Sequence, residues 1–404
     1  MPLATPSTPF TNQQVFKANG SGGPVKIVGR GDPRLRNIAF AAAAASPPTV
    51  TVGAANTSSI SGGVLKGPNT VGYFKYWGAS PGFGASFPDD TYWYGPLPAT
   101  WPCSGWFAAF GVEADKIELF LKGTGGKYRL MVDGAYVSTT PSTTTNDGSG
   151  YYVKIDFSTR GVHEVIVEMS SNQKFGGVFL HPTSTVYALP DPPGPRVAVI
   201  GDSFTEGTGA DATFTAWPFQ MGRLLGWRDV YATGSGGTGY LNPGSGGRVK
   251  FRDRVQTDVI AFSPDVVIVA GGINDQAYPS SGAYSASALR AEADALFAAI
   301  KAGLPNARLV AIGPFWPNGS QASTPNVVSV HDQLSAAASA AGAVFVDNFA
   351  EQWITGTGKV GSTNSTGNAD YYTSSDGTHP SQAGHDYLAR RVAADLAPYF
   401  PMAN

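Results

Sequence analysis

Residues 196–210 read RVAVIGDSFTEGTGA, a short apolar run that stops at Gly201-Asp202-Ser203. A run of this length bounded by turn residues fits a strand buried on both faces. A serine in that position often does no more than open a turn, bonding its hydroxyl to nearby backbone. As a nucleophile it would need a base to take its proton and donors aimed at the developing oxyanion. Whether the chain supplies them decides how both fold and function are read.

From residue 196 onward the pattern alternates. Apolar runs at 196–201, 229–234, 265–272, 308–315 and 343–349 read as strands. Helical stretches lie between them: FTAWPFQMGRLLG, RVKFRDRVQTDVIA, SASALRAEADALFAAIKAG and VVSVHDQLSAAASAAG. A last one, SQAGHDYLARRVAADLA, aligns Leu388, Val392 and Leu396 on one face. Continuously apolar strands alternating with helices imply an α/β fold, a parallel sheet covered on both sides. The expected architecture is a flavodoxin-like five-stranded sheet of order 2-1-3-4-5, with its site beyond the carboxyl ends of strands 1 and 3.

Before that region the pattern is β. The runs 115–123, 127–137, 151–158 and 162–170 are partly alternating and bounded by Gly, Ser and Asn, and V-D-G-A-Y reads as an Asp-Gly hairpin. An all-β sandwich of jelly-roll type is expected. At 404 residues the chain exceeds one ordinary core. It divides into an extended arm (1–35), the β-sandwich (36–189), a stiff linker PDPPGP (190–195) and the α/β domain (196–404).

The chemically interesting groups fall at one edge of the expected sheet. Strand 1 ends in Gly201-Asp202-Ser203 and strand 2 in TGSGGTG (233–239). Strand 3 runs into Gly272-Ile273-Asn274-Asp275, and DGTHPS, with Asp376 and His379, precedes the last helix. These four segments resemble the sequence blocks of the SGNH, or GDSL-type, hydrolases: G-D-S, a glycine after strand 2, G-x-N-D and D-x-x-H. The resemblance covers roughly residues 196–400, each block at its expected strand end. It implies a serine esterase working without metal or cofactor. Carried over residue by residue, it makes Ser203 the nucleophile, His379 its general base and Asp376 the group that orients the imidazole. The implied oxyanion donors are the backbone N–H of Ser203, the backbone N–H of Gly236 and the side-chain amide of Asn274. Gly237 is the neighbour that competes with Gly236 for that role. Phe204 stands where Leu or Ile is frequent, and its side chain is expected to pack inward.

Other readings of these residues are weaker. G-S-G-G-T-G (234–239) satisfies the dinucleotide fingerprint, but loop rather than helix follows it. His163, His331 and His385 do not cluster with carboxylates at ligand spacing, so no metal site is expected. Asp202 and Asp275 are expected to shape loops by accepting nearby N–H groups. Cys103 is the one cysteine, which rules out an intrachain disulfide.

Formal net charge is -2 with no cluster of Lys and Arg, which argues against a nucleic-acid partner. No apolar run approaches the length of a membrane span, and the N-terminus lacks the features of a signal peptide. An extracellular or virion-associated location is the expectation. The segment 72–110 is dense in aromatics, which read mostly as core; Trp93, between two tyrosines in a loop-like stretch, is the candidate substrate contact. A β-sandwich before an SGNH domain is similar to two-domain carbohydrate acetyl esterases. The expected function is therefore removal of short acyl groups, acetyl above all, from a polysaccharide or glycan. Two alternatives stand beside it: a general short-chain carboxylesterase or lipase, and a phage-tail or adhesion-type structural protein that forms homo-oligomers or a virion assembly.

Overall fold

The computed structural model describes residues 43–78, 93–94, 104–192, 194–279 and 284–400. The expected arm (1–35), Cys103 and the side chain of Trp93 lie outside the described residues. The chain forms two compact units, divided between Pro192 and Pro193, with Ser104 belonging to the second.

The first unit contains Thr49–Val52 (β1), Val64–Lys66 (β2), Lys75–Trp77 (β3), Trp93–Tyr94 (β4), Gly105–Lys122 (β5) and Lys127–Val132 (β6). Ala135–Tyr136 (β7), Ser142–Thr143 (β8), Gly150–Ser170 (β9), Lys174–Leu180 (β10) and Thr185–Tyr187 (β11) complete it. They join in one antiparallel sheet whose spine runs β2-β10-β5-β9-β6-β7. The two long strands pair from Gly105↔Ser170 to Lys122↔Gly150, with one break in register between Ala114 and Lys116. An extra residue at such a break bends the strand. On either side of it the neighbours change: β5 pairs first with β3 and β11, then with β10, while β9 pairs first with β1, then with β6.

Rings from the two halves meet inside. Phe74 stands edge-on to Phe110, at 5.4 Å, and to Phe175, at 5.2 Å. Trp77 and Trp106 are buried, as a core reading of the aromatic segment requires. The runs 151–158 and 162–170 read as two strands in sequence but form one, because β5 follows β9 past the bulge. The Asp-Gly turn joins β6 to β7 with positive φ at both Asp133 and Gly134, as a type I′ hairpin demands.

In the second unit, Val197–Gly201 (β12), Val230–Gly234 (β13), Val266–Ala270 (β14), Arg308–Ile312 (β15) and Val344–Val346 (β16) form a parallel sheet. Its order is β13-β12-β14-β15-β16, the expected 2-1-3-4-5. Every residue of β12, β13 and β14 is buried, which is why these strands are apolar without alternation. The helices are Ser203–Glu206 (α1), Trp217–Leu225 (α2), Phe251–Asp258 (α3), Ala286–Gly303 (α4), Pro325–Ala341 (α5), Ala369–Tyr372 (α6) and Gln382–Leu396 (α7). Local chemistry sets their ends. Pro325 opens α5, the Ser285 and Ser381 hydroxyls cap α4 and α7, and left-handed Gly226 and Gly342 close α2 and α5. The single turns α1 and α6 are too short for any periodicity to reveal.

Strands β12 and β13 end in register, Gly201 opposite Gly234. A Cβ on Gly234 would lie 1.8 Å from the Glu206 backbone nitrogen, and one on Gly201 would lie 2.1 Å from the Thr205 hydroxyl. Helix α1 is therefore seated directly on bare strand ends. Gly234→Ala forces backbone from backbone and should cost about 1–3 kcal/mol of stability, read as a lower urea midpoint. Gly67→Ala, whose Cβ would meet only ordinary contacts, should leave the midpoint in place.

Candidate active site

Asp202 makes α1 possible. Its carboxylate accepts the Phe204 N–H at 3.0 Å as the helix N-cap, and Gly207 ends the turn in the left-handed region. This one turn lifts Ser203 off the end of β12. Phe204 packs inward, its ring stacked on Phe315 at 5.5 Å and tilted against the His379 ring at 5.7 Å.

The Asp376–His379 segment arrives from the far end of the chain. Oδ1 of Asp376 accepts from the Thr378 N–H (2.8 Å), the His379 N–H (3.0 Å) and the Ser374 hydroxyl (2.8 Å). Its other oxygen, Oδ2, lies 2.6 Å from Nδ1 of His379, and Nε2 of that ring lies 2.9 Å from the Ser203 hydroxyl. An ionised carboxylate only accepts, so Nδ1 carries the proton and Nε2 is left to accept from Ser203. Burial pushes the Asp376 carboxyl upward. The bonds from His379, the two N–H groups and Ser374 outweigh it and hold the group well below the usual carboxylate range.

Pro380, Gln382 and His385 fasten this loop and α7 to the segment after α1. Gly209 stands at φ +91, and a Cβ there would lie 2.0 Å from the Pro380 carbonyl oxygen. Gln382 Oε1 accepts from the Asp211 N–H and the Thr215 hydroxyl, both at 2.8 Å. His385, buried in α7, accepts the Trp217 N–H at Nδ1 and donates from Nε2 to the Thr208 carbonyl at 3.0 Å.

Gly236 and Asn274 follow the ends of β13 and β14, and Gly236 lies beside Ser203. A Cβ on Gly236 would lie 3.6 Å from the Ser203 Cβ, whereas one on Gly237 would point at Gly244. Asn274 donates one amide N–H to the Thr238 carbonyl at 2.9 Å, which ties it to the loop that carries Gly236. Asp275 beside it is buried and accepts the N–H groups of Tyr240, Leu241 and Asn242 at 2.8–3.0 Å. Burial pushes its carboxyl up to about 6 against those three bonds, and pushes Asp202 up to about 7. Both aspartates thus shape loops, and the stretch after G-S-G-G-T-G is loop until α3 begins.

Two residues that the sequence reading did not single out share this edge. Oε2 of Glu206 lies 2.8 Å, and Nη2 of Arg248 4.0 Å, from the position of a Cβ on Gly236. Glu206 follows Ser203 by three residues on a helical turn, a spacing that places both on one face. Trp93 falls in β4, opposite Phe175, in the other unit. His163 pairs with Asp133 and His331 with Asp347. Among the described residues no group of three His, Cys, Asp or Glu could hold a metal ion, and no helix is long and apolar enough to cross a membrane.

The Ser203 turn, the Asp376–His379 loop and the G-x-N-D segment stand at strand ends and loops of the parallel-sheet unit, an arrangement that fits an ester hydrolase. The model of the GDSL-like lipase/acylhydrolase family matches residues 199–387, and the chain belongs to that family. It is 36% identical over 208 residues to a GDSL lipase of Mycobacterium tuberculosis, a match covering 49% of this chain and 79% of the relative. The fold is similar to a family two carbohydrate esterase from Cellvibrio japonicus, with TM-score 0.60, 14% identity, and coverage of 87% of this chain and 99% of that one. It is also similar to a family two carbohydrate esterase from Clostridium thermocellum in complex with cellohexaose, with TM-score 0.57, 18% identity, and coverage of 81% and 98%.

The anchoring histidine predicts a pH signature. Burial pushes the His385 imidazole down to about 4; the bond to Thr208 opposes this and the nearby His379 adds to it. Between that value and about 6.5, where a histidine in the unfolded chain titrates, only the unfolded state takes the proton. Stability therefore falls as pH drops through that window. Asp202 and Asp275 act in the opposite sense and persist in a His385→Gln variant, so the difference between the two proteins isolates His385. Between pH 7 and 4.5 the variant should lose roughly 2 kcal/mol less than the wild type, measured by urea unfolding across pH. Parallel curves would refute the assignment.

Proposed function

We propose that this ester hydrolase is an O-deacetylase that removes short acyl groups, acetyl above all, from a polysaccharide or glycan. Ser203 attacks the ester carbonyl carbon while Nε2 of His379 takes its proton. The tetrahedral intermediate collapses to an acyl-Ser203, and the proton passes from His379 to the departing sugar oxygen. Water, deprotonated by the same imidazole, then attacks the acyl carbon, and His379 returns that proton to the Ser203 oxygen as the acid leaves. Asp376 holds Nδ1–H and stabilises the imidazolium formed in each step. The oxyanion is received by the N–H groups of Ser203 and Gly236 and the Asn274 amide. The observation that carries the chemistry is the unbroken chain from the Ser203 hydroxyl through His379 to Asp376, at 2.9 and 2.6 Å.

The glycan part is supported by the family two carbohydrate esterases, whose likeness spans both units of this chain. A second reading, cleavage of longer acyl chains, is favoured by the lipase relative and by an apolar pocket beside the His379 loop. Phe204, Phe315, Trp316, Trp353 and Ile354 line that pocket.

Wild type should release acetate from both acetylated xylan and p-nitrophenyl acetate, with higher kcat/KM on the polymer. Ser203→Ala should lower kcat roughly 10⁶-fold, and Asn274→Ala roughly 10²–10³-fold with the fold intact. Ester cleavage surviving in Ser203→Ala would overturn the mechanism, and faster cleavage of octanoate than acetate esters would favour the second reading.

A further inference from the structure

Arg254 lies in α3, which contributes nothing to the ester chemistry described above. Its side chain is 1% exposed. One terminal nitrogen donates to the Thr233 carbonyl and to the Asp258 carboxylate, both at 2.7 Å; the other donates to the Gly201 carbonyl at 2.7 Å. Gly201 stands two residues before Ser203, and Thr233 three before Gly236. The guanidinium therefore bridges the carboxyl ends of β12 and β13, one carrying the nucleophile and the other an oxyanion donor.

Stability is a poor reason for this arrangement. Burying a guanidinium and a carboxylate costs several kcal/mol per ion, and well-packed apolar residues often do as well or better. The Nε of Arg254 is also buried without a hydrogen-bond partner among the described residues. What an apolar side chain cannot do is hold two carbonyls of neighbouring strands at a set spacing, which the rigid fork of a guanidinium does. The same helix reaches the third strand end. Phe251 lies under the Arg254 guanidinium at 5.2 Å, and its ring would sit 2.7 Å from a Cβ on Gly271, which leads to Asn274.

We infer that Arg254 is a positioning residue, a clamp that holds Ser203 and Gly236 at the separation needed to receive a tetrahedral oxyanion. This rests on the reading of Ser203 as nucleophile and Gly236 as donor.

The test compares Arg254→Met and Arg254→Lys with Arg391→Met, which removes an equally buried arginine paired with Glu351. Active sites are titrated with a serine-directed phosphonate so that rates refer to folded enzyme only. In Arg254→Met, kcat per titrated site on p-nitrophenyl acetate should fall about 10²-fold, the loss expected from a displacement near 1 Å. KM should stay within about twofold, because ground-state binding is untouched. Inhibition by a boronic acid, which mimics the tetrahedral state, should weaken by the same factor as kcat. Arg254→Lys, with a single head to share between two carbonyls, should fall between Met and wild type. Arg391→Met should keep kcat per site.

A second readout needs no ester turnover. The Ser235 N–H donates to the Gly201 carbonyl that Arg254 also holds. Hydrogen exchange at Ser235 should speed up at least about tenfold in Arg254→Met and stay unchanged in Arg391→Met. Unchanged exchange, unchanged kcat per site, or an equal loss in Arg391→Met overturns the clamp. If the wild type cleaves no ester, the function proposed above fails, and exchange alone decides for or against Arg254.

Discussion

The second unit depends on one close approach. The backbone of α1 touches the end of β13 so tightly that no side chain fits at Gly234, and Gly201 is bare for the same reason. Because α1 sits this low, its single turn needs little length: Asp202 caps one end, Gly207 closes the other, and the sheet supplies the rest. An isolated four-residue helix would not persist in water. Here the strand ends hold it, and Ser203 inherits their rigidity.

A second economy lies in the two oxygens of Asp376. One gathers three donors from its own loop and so fixes the loop, leaving the other for the imidazole. The same carboxylate thus builds the turn and orients the ring mounted on it. Helix α7 then ties that turn to the segment after α1 through Gln382 and His385. Residues far apart in sequence meet because each is fastened to the other's support.

Much of this was legible in the sequence. Apolar runs without alternation marked strands covered on both faces, and their order follows from how parallel strands are wound. The strand ends then gathered Ser203, Asn274, Asp376 and His379 before any distance was known. Less legible were features set by contact rather than pattern. Glu206 and Arg248 belong to no periodic signal and reach Gly236 only through folding of the loop that Asp275 anchors. Arg254 falls in a helical stretch rich in charges, where nothing in the pattern marks it, yet it is buried against two carbonyls and the Asp258 carboxylate. In the first unit, β9 looked like two strands because exposed Ser158, Thr159 and Arg160 interrupt its apolar pattern, while its hydrogen bonding to β5 resumes beyond them.

The unbroken course of β5 and β9 bears on how the first unit assembles and comes apart. Two stacked sheets joined only by loops could separate at the seam between them. Here both halves share the same two strands, so there is no seam. The ladder can zip from Lys122↔Gly150, where the intervening chain is shortest, toward Gly105↔Ser170, each pair shortening the loop the next must close. Run backwards, the same zipper strips β3, β6 and β11 of their partners as the long strands part, so the unit loses its layers together.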